Sequence, residues 1–552
     1  MENAMQTIFG LLGGLSVFIY GMNMMSECLQ KAAGEKMKVI LGVLTKNPLM
    51  GVFAGALVTA VLQSSSATTV MVIGFVSAGL MSLPQGISVI LGANIGTTMT
   101  AQLIAFKISD YIWMFVFVGF FMFFISKKEK VKSIGQTIFA FGLLFVGIET
   151  MSSVMKPLAT SPIFTNLIAS VSSIPILGVL LGTVMTLVVQ SSSATIAVLQ
   201  SFAAQPAADG ISSAIGLVGA IPILLGDNIG TTITALMASV GQPKNAKRAA
   251  VAHSVFNIAG AVVFIWFVPA FADLVRLLSP KGNEVDVIAR QIANAHMSFN
   301  LINTLIWIPL IPAMVKIVNF IVRGEDKEPG TKREPLYLDT HVLNQPAAAM
   351  QLTSKEIEAL FENVQHLFED VKKSFITGDA EMLKKIEENG VWLGQIHAET
   401  VQYISALFSG GNLTEEMTVE AANLMYVVND VDKMRDRCMD IARITCDKIF
   451  KEFEFSNTAV YELERCFEYV LNMMKKAKML AITRDKQEAN ELLESGEKLR
   501  KMERKFNKNH IKRMKKNDCK PELTGAFSGV LMNLDRIGTG CTNIAEEVLD
   551  VE

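Results

Sequence analysis

Gln63-Ser64-Ser65-Ser66-Ala67-Thr68 stands in the middle of a long apolar run, Leu49–Leu80, and the same six residue types return as Gln190-Ser191-Ser192-Ser193-Ala194-Thr195 inside a second run, Pro175–Gln205. Each run is too long for one bilayer-spanning helix, which needs about 20 residues to cross ~30 Å of hydrocarbon. Each is also interrupted at its centre by polar residues. Broken backbone at membrane depth is tolerated only where it faces protein or a wet cavity. Both runs are therefore predicted to be re-entrant helical hairpins that enter and leave on one side.

A second pair of motifs follows the first. Gly92-Ala93-Asn94-Ile95-Gly96-Thr97-Thr98 recurs as Gly226-Asp227-Asn228-Ile229-Gly230-Thr231-Thr232, and Gly21 and Met25 match Gly147 and Met151. The offsets are 190 − 63 = 127, 226 − 92 = 134 and 147 − 21 = 126, so the added residues fall near Gln205–Gly210. Each copy, over about 5–126 and 134–275, reads span, hairpin, span, span. Three spans are an odd number, which turns the second copy upside down, as in the inverted repeats of secondary transporters.

Outside the hairpins, apolar stretches at Met5–Cys28, Gly86–Phe106, Tyr111–Ser126, Ile134–Met155, Ile211–Val240, Ala249–Val275 and Ile292–Val322 predict seven spans. With the N-terminus outside, the cytoplasmic segments hold Lys31, Lys36, Lys38, Lys46, Lys127, Lys128, Lys130, Lys132, Lys244, Lys247 and Arg248. The outer segments hold Lys107, Lys156, Arg276, Lys281 and Arg290. Eleven against five favours that orientation by the positive-inside rule, and the last span then delivers the C-terminal part to the cytosol. The predicted location is the plasma membrane, with the lipid bilayer as solvent. Met1–Thr7 carries no Lys or Arg, so it is not read as a cleavable leader.

Composition agrees. The 552 residues are 51% hydrophobic and 18% charged. Met1–Glu325 holds 18 Lys/Arg and 12 Asp/Glu; the remainder, 50 − 18 = 32 and 52 − 12 = 40, is packed into the last 227 residues. An all-α membrane domain, 1–325, is thus joined through a linker, 326–344, to a soluble helical domain, 345–552. This excludes a single globular enzyme, a disulfide scaffold and a disordered chain. The net charge of −2 gives no basis for nucleic-acid binding. The six cysteines, five of them in the charged part and none in CxxC spacing, read as reduced thiols.

Where two half-helices meet tip to tip, backbone N–H groups are left unpaired, and helix N-termini favour an anion. Gln63 to Ser66 and Gln190 to Ser193 add side-chain donors, and no Lys or Arg lies in either hairpin. Such tips could surround a tetrahedral oxyanion. Hydroxyls and freed carbonyls also suit sodium, whose charge would offset that of the anion. Thr68, Thr195, Asn94, Thr97, Thr98, Asn228, Thr231 and Thr232 are further oxygen ligands, and their flanking glycines permit close approach and unwinding. Asp227, where the first copy has Ala93, is the one carboxylate among them. His253 and His296, in the echo Ala252-His253-Ser254-Val255-Phe256-Asn257 and Ala295-His296-Met297-Ser298-Phe299-Asn300, read as glue between helices. Glu149 and Asn23 occupy opposed positions on the spans that open the two copies.

The doubled Gln-Ser-Ser-Ser with its Asn-Ile-Gly-Thr-Thr echo resembles the bacterial sodium-dependent phosphate cotransporters, relatives of the animal type II family, over Met5–Val322. The resemblance implies sodium-driven symport of inorganic phosphate into the cell, with Gln63 to Ser66 and Gln190 to Ser193 lining the phosphate and sodium sites. No Gly-x-Ser-x-Gly elbow surrounds the serines, so a hydrolase is disfavoured. A membrane-tethered phosphate sensor without transport, and a symporter of another oxyanion, stay open. A homo-oligomer is admitted but not required.

In the tail, Ile357, Leu360, Phe361, Val364, Leu367, Phe368, Val371 and Phe375 form a stripe at helical spacing. Thr353-Ser354-Lys355-Glu356 reads as its capping box, and Asp485-Lys486-Gln487-Glu488 opens a later helix. Breaks near Gly378, Gly410-Gly411, Glu454–Asn457, Thr483-Arg484 and Pro521 predict six helices in two three-helix bundles. Asp432-Lys433-Met434-Arg435-Asp436 and Asp535-Arg536-Ile537-Gly538-Thr539 echo at an offset of 535 − 432 = 103. This resembles PhoU-like domains, which regulate phosphate uptake and whose acidic motifs can hold metal. Asp432 and Asp436, at i and i+4, are the candidate ligands for a divalent cation.

Overall fold

The computed structural model describes residues 2–43, 47–106, 111–159, 174–207, 209–324, 335–410, 413–516 and 523–550. Of the residues weighed above, Lys31, Lys36, Lys38, Lys46, Lys107, Lys130 and Lys156 lie outside the described side chains, and Gly411, Cys519 and Pro521 outside the described residues. No strand forms among the described residues; two compact units divide at Lys327 and Glu328.

The first unit begins with α1 (Glu2–Val43), the hairpin α2 (Pro48–Leu62) and α3 (Ser65–Ser77), and the broken pair α4 (Leu83–Gly96) and α5 (Thr98–Ile104). Then come α6 (Ile112–Ile125) and α7 (Glu129–Ala159). The hairpin and broken pair return as α8 (Pro175–Val189), α9 (Ser192–Ala203), α10 (Gly216–Gly230) and α11 (Thr232–Ala238). The unit closes with α12 (Lys244–Phe264), α13 (Val268–Leu277), α14 (Glu284–Trp307) and α15 (Ile311–Ile321). The helices that open the two copies, α1 and α7, pack on each other through glycine. A Cβ on Gly21 would stand 2.8 Å from Ala140 O, and one on Gly147 2.6 Å from Gly14 O.

Among the described residues, five helices are long and apolar enough to cross a bilayer: Met5–Leu29, Leu83–Ile104, Val131–Met155, Gly216–Ala238 and Lys244–Leu277. The seven predicted spans are not all reproduced. Ile292–Val322 is bent by 87° between α14 and α15, where Pro309 and Pro312 remove helix donors and crowd the preceding turn. Tyr111–Ser126 yields only the 14 residues of α6, about 21 Å at 1.5 Å per residue. Its Phe117, Phe120, Phe121 and Phe124 are exposed while Gly119 is buried, so the aromatic run faces outward.

Among its described residues the second unit has six α-helices: α16 (Pro346–Thr377), α17 (Ala380–Ser409), α18 (Glu415–Phe450), α19 (Asn457–Thr483), α20 (Lys486–Lys515) and α21 (Thr524–Asp550). The first three pack together, as do the last three. The apolar stripe on α16 is buried throughout, and Phe368 and Phe375 meet Phe467 of α19 at ring-centroid distances of 5.5 and 5.7 Å. Asp485 caps α20 by accepting from Gln487 N and Glu488 N. The proposed capping box does not cap. Helix α16 starts at Pro346, whose φ is preset for a first turn, and Thr353 lies inside it bonded to Ala349 O.

Glu356 is instead buried, accepting from Tyr337 N at 2.7 Å. Burial pushes its carboxyl up to about 7 against the opposing pull of that N–H. The folded state therefore holds a proton that the unfolded state releases near pH 4.5, so stability falls as pH rises from there through about 7. Glu356→Gln should raise the unfolding temperature of the full chain at pH 8 and leave it nearly unchanged at pH 4. Equal shifts at both pH values would refute this.

Candidate functional site

The two hairpins end alike. Apolar α2 stops at Gln63, which takes the left-handed conformation at φ 54°. Ser64 then swings out to φ −147°, and its hydroxyl accepts from Ala67 N to cap α3. In the second copy Gln190 stands at φ 56°, and Ser191, at φ −145°, accepts from Ala194 N to cap α9. A left-handed non-glycine residue costs about 1–2 kcal/mol. Only four occur among the described residues, and two of them are these equivalent glutamines. At Gln63 the side chain accounts for the retention: Thr100 Oγ1 donates to its Oε1 at 2.9 Å, and its Nε2 donates to Ala60 O.

The tips face each other across a cavity of about 150 Å³, lined by both complete Gln-Ser-Ser-Ser runs with Met22, Asn23, Ser26 and Thr97. Among the described residues no ionisable side chain lines it. Two helix N-termini open onto it, supplying unpaired N–H groups and positive partial charge from both sides. The hydroxyls of Ser65, Ser192 and Ser193 make no hydrogen bond within the described residues, so they stay available to a ligand. Ser66 is tied across the copies, accepting from Thr234 Oγ1 at 3.1 Å.

The remaining candidates stand one turn behind. Thr68 meets Thr59 at 2.8 Å between hydroxyl oxygens, and Thr195 meets Thr186 at 3.0 Å. Asp227, wholly buried, accepts from Thr186 Oγ1 at 2.6 Å, and its second oxygen has no partner. Asn94 and Asn228 donate to Ile90 O and Leu224 O on their own helices. The Asn94 Oδ1 atom lies 3.3 Å from His253 Nε2 and 3.4 Å from Asn257 Nδ2, and Asn300 Nδ2 reaches Asn228 Oδ1 at 3.4 Å. His253 thus joins two helices, whereas both ring nitrogens of His296 are buried without a partner. Thr98, Thr231 and Thr232 bond back to carbonyls in the last turn of the preceding helix, α4 or α10, and do not line the cavity.

The motif glycines serve contact rather than unwinding. A Cβ on Gly92 would lie 1.9 Å from Val52 O, and one on Gly226 1.9 Å from Val179 O. The helices run on through Gly96 and Gly230 and break for one residue at Thr97 and Thr231. The sequence reading missed Ser26, the Thr59/Thr186 pair and the bridging Thr100/Thr234 pair. These two pairs recur at the motif offsets, 186 − 59 = 127 and 234 − 100 = 134, so the repeat held the signal.

The divalent-metal assignment is corrected. Asp432 accepts from Arg435 Nε at 2.7 Å, and Asp436 lies 3.0 Å from Arg435 Nη2. A guanidinium already stands where a cation would sit, and no group of three metal-ligating side chains gathers among the described residues.

Two family profiles match. The one described as Na+/Pi-cotransporter covers residues 17–153 and again 147–302, and the one described as PhoU domain covers 463–548. Over 263 residues the chain is 37% identical to the uncharacterized protein YqeW of Bacillus subtilis, spanning 48% of this chain and 83% of that one. Over 549 residues, 99% of this chain and 98% of the relative, it is 22% identical to YjbB of Escherichia coli, whose name provisionally assigns it inorganic phosphate export. A stretch of 97 residues, 17% of this chain and 15% of the relative, is 35% identical to sodium-dependent phosphate transport protein 2A of Rattus norvegicus. No solved structure matches the chain.

Proposed function

The chain belongs to the Na+/Pi-cotransporter family, and from that premise we propose that it carries inorganic phosphate across the plasma membrane coupled to sodium, through the cavity between its two Gln-Ser-Ser-Ser tips. The observation that carries this reading is the pairing of two helix N-termini and three uncommitted serine hydroxyls around one small chamber without fixed charge. Donors from both tips replace the hydration shell of a tetrahedral oxyanion. A multivalent anion entering this low-dielectric site needs counter-charge, which sodium supplies. Its candidate ligands are the tip oxygens, Thr68, Thr195, Thr97 and, behind the second tip, Asp227. Because anion and cation each stabilise the other's binding, their affinities are linked.

The two hairpins are read as re-entrant and the copies as inverted, so exposing the chamber first to one side and then to the other needs only rocking of one copy against the other. The N-terminus is placed outside and the tail in the cytosol by the lysine and arginine asymmetry. The PhoU-like unit is read as a regulator of flux.

The inward sodium gradient drives phosphate into the cell. The full-length likeness to YjbB favours a second reading, net export; the same symport cycle runs outward when the phosphate gradient exceeds the sodium drive. Uptake of labelled phosphate by proteoliposomes should require sodium on the same side, fall at least tenfold when potassium replaces it, and reverse when the combined gradient is reversed. Uptake that is unchanged in potassium would remove sodium coupling. No uptake by correctly inserted protein would favour the tethered sensor, and competition by unlabelled sulfate would widen the substrate.

A further inference from the structure

Helix α1 supplies a third wall of the serine chamber. Met22, Asn23 and Ser26 line it beside the two tips, and residues three apart share one helix face. That face is held from two directions. Ser26 Oγ donates to Leu62 O at 2.5 Å, at the end of α2, and a Cβ on Gly21 would stand 2.8 Å from Ala140 O of α7. Asn23 therefore reaches the chamber from a fixed backbone.

Its amide is uncommitted. Asn94, Asn228, Asn257 and Asn300 each donate Nδ2 to the carbonyl four residues back. Asn23 makes no hydrogen bond among the described residues, and it is exposed. Asparagine is a poor helix former, so an asparagine kept in α1 without a local bond is available to a ligand. Its equivalent in the second copy is Glu149, at the offset 149 − 23 = 126 that also relates Gly21 to Gly147. Glu149 lines a different space and not this one. The chamber thus receives a neutral amide where a carboxylate would repel an anion.

The chamber is rich in donors and short of acceptors. The first N–H groups of α3 and α9 and the hydroxyls of Ser65, Ser192 and Ser193 all suit the unprotonated oxygens of an oxyanion. Inorganic phosphate at neutral pH also keeps a P–OH, which needs an acceptor; sulfate has no such proton. Of the three side-chain amides on the wall, Gln63 is spent: its Oε1 accepts from Thr100 and its Nε2 donates to Ala60 O. Gln190 is a long side chain at the tip's own turn. Asn23 is shorter and rises from a clamped helix, the better platform for fixed geometry.

We propose that Asn23 contacts the substrate and sets its identity, its Oδ1 accepting the P–OH of inorganic phosphate. Sulfate in the same place leaves that oxygen unpaired against an anionic one, a mismatch that a site built for a hydroxyl rejects. The assignment rests on the transport reading above and names the group that separates phosphate from unprotonated tetrahedral oxyanions.

The test is labelled phosphate uptake by full-length protein in proteoliposomes with sodium, competed by unlabelled sulfate. In the native chain sulfate should compete weakly. Asn23→Ala should raise the phosphate KM about 10- to 100-fold, the loss of one hydrogen bond to a charged ligand, and leave the sulfate inhibition constant nearly unchanged, so the selectivity ratio falls by the same factor. Asn23→Asp keeps an acceptor and adds charge: its phosphate KM should rise while sulfate stays excluded. Gln190→Ala should weaken uptake without narrowing the ratio. A second readout is the unfolding midpoint in detergent, which phosphate should raise in the native protein and much less in Asn23→Ala; without ligand the two midpoints should agree. Should Asn23→Ala fail to insert, Asn23→Leu, close in size and without polar atoms, takes its place with the same expected ratio. An unchanged ratio in these variants, a ratio that collapses in Gln190→Ala instead, or a native chain that sulfate inhibits as well as phosphate does would overturn the assignment. Protection by phosphate that Asn23→Ala removes, in a protein that shows no sodium-dependent uptake, would sink the symport reading and leave the contact standing.

Discussion

Ser65→Ala and Ser192→Ala should each lower phosphate uptake about 10- to 100-fold at limiting phosphate, and the double replacement should abolish it. Both serines line the chamber, and neither hydroxyl is engaged within the described residues. Each is therefore held for a ligand rather than for the fold. A hydrogen bond to a charged partner is worth roughly 1.5–3 kcal/mol, which at 1.36 kcal/mol per decade sets that range for one hydroxyl. The neighbours supply an internal contrast. Ser64 and Ser191 cap α3 and α9 through Ala67 N and Ala194 N, so their alanine variants should lose about 1 kcal/mol of stability as well as transport. Ser65→Ala and Ser192→Ala sit at first helical positions where alanine is well tolerated, and their unfolding temperatures should stay native. Phosphate uptake is the measurement, normalised to inserted protein. Native kinetics in the double variant would remove the tips from the substrate path.

The tips were legible because their signal is local and doubled. A polar interruption at the centre of an apolar run too long for one span points to a broken helix, and its recurrence at one offset separates a site from a packing patch. The partners behind the tips were less legible. Thr59 and Thr186 look like ordinary helix residues; only the fold brings them against Thr68 and Thr195. Acidic spacing at Asp432 and Asp436 could not reveal that Arg435, between them in sequence, reaches both carboxylates. The 87° bend after Trp307 was written in Pro309 and Pro312, but an apolar count over Ile292–Val322 is blind to direction. At Thr353 a capping pattern lost to Pro346, since a helix already under way has no use for a second start.

Gly92→Ala and Gly226→Ala should each abolish transport and lower the unfolding temperature by several degrees. Each adds one methyl group where there is no room: the new Cβ would lie 1.9 Å from Val52 O or Val179 O and 2.7 Å from the adjoining carbonyl carbons. The obstacle is backbone within a helix, which cannot rotate aside as a side chain would. Helix α4 must leave α2, or α10 must leave α8. Overpacking of this kind costs roughly 1–3 kcal/mol, more than alanine's gain of about 1 kcal/mol over glycine in a helix. Gly13→Ala is the control, because nothing lies within 4 Å of its added Cβ; it should keep or raise stability. Function is more sensitive than folding here. Helix α4 leads into Thr97, which walls the chamber, and α5 carries Thr100, which holds Gln63 in its left-handed turn. A shift of about 1 Å in α4 would loosen both, so transport should vanish in any Gly92→Ala protein that still inserts. Gly226→Ala acts through Asp227 and its bond to Thr186. Native uptake by either variant would mean that the close helix contact does not position the tips, and the geometry of the chamber would need another support.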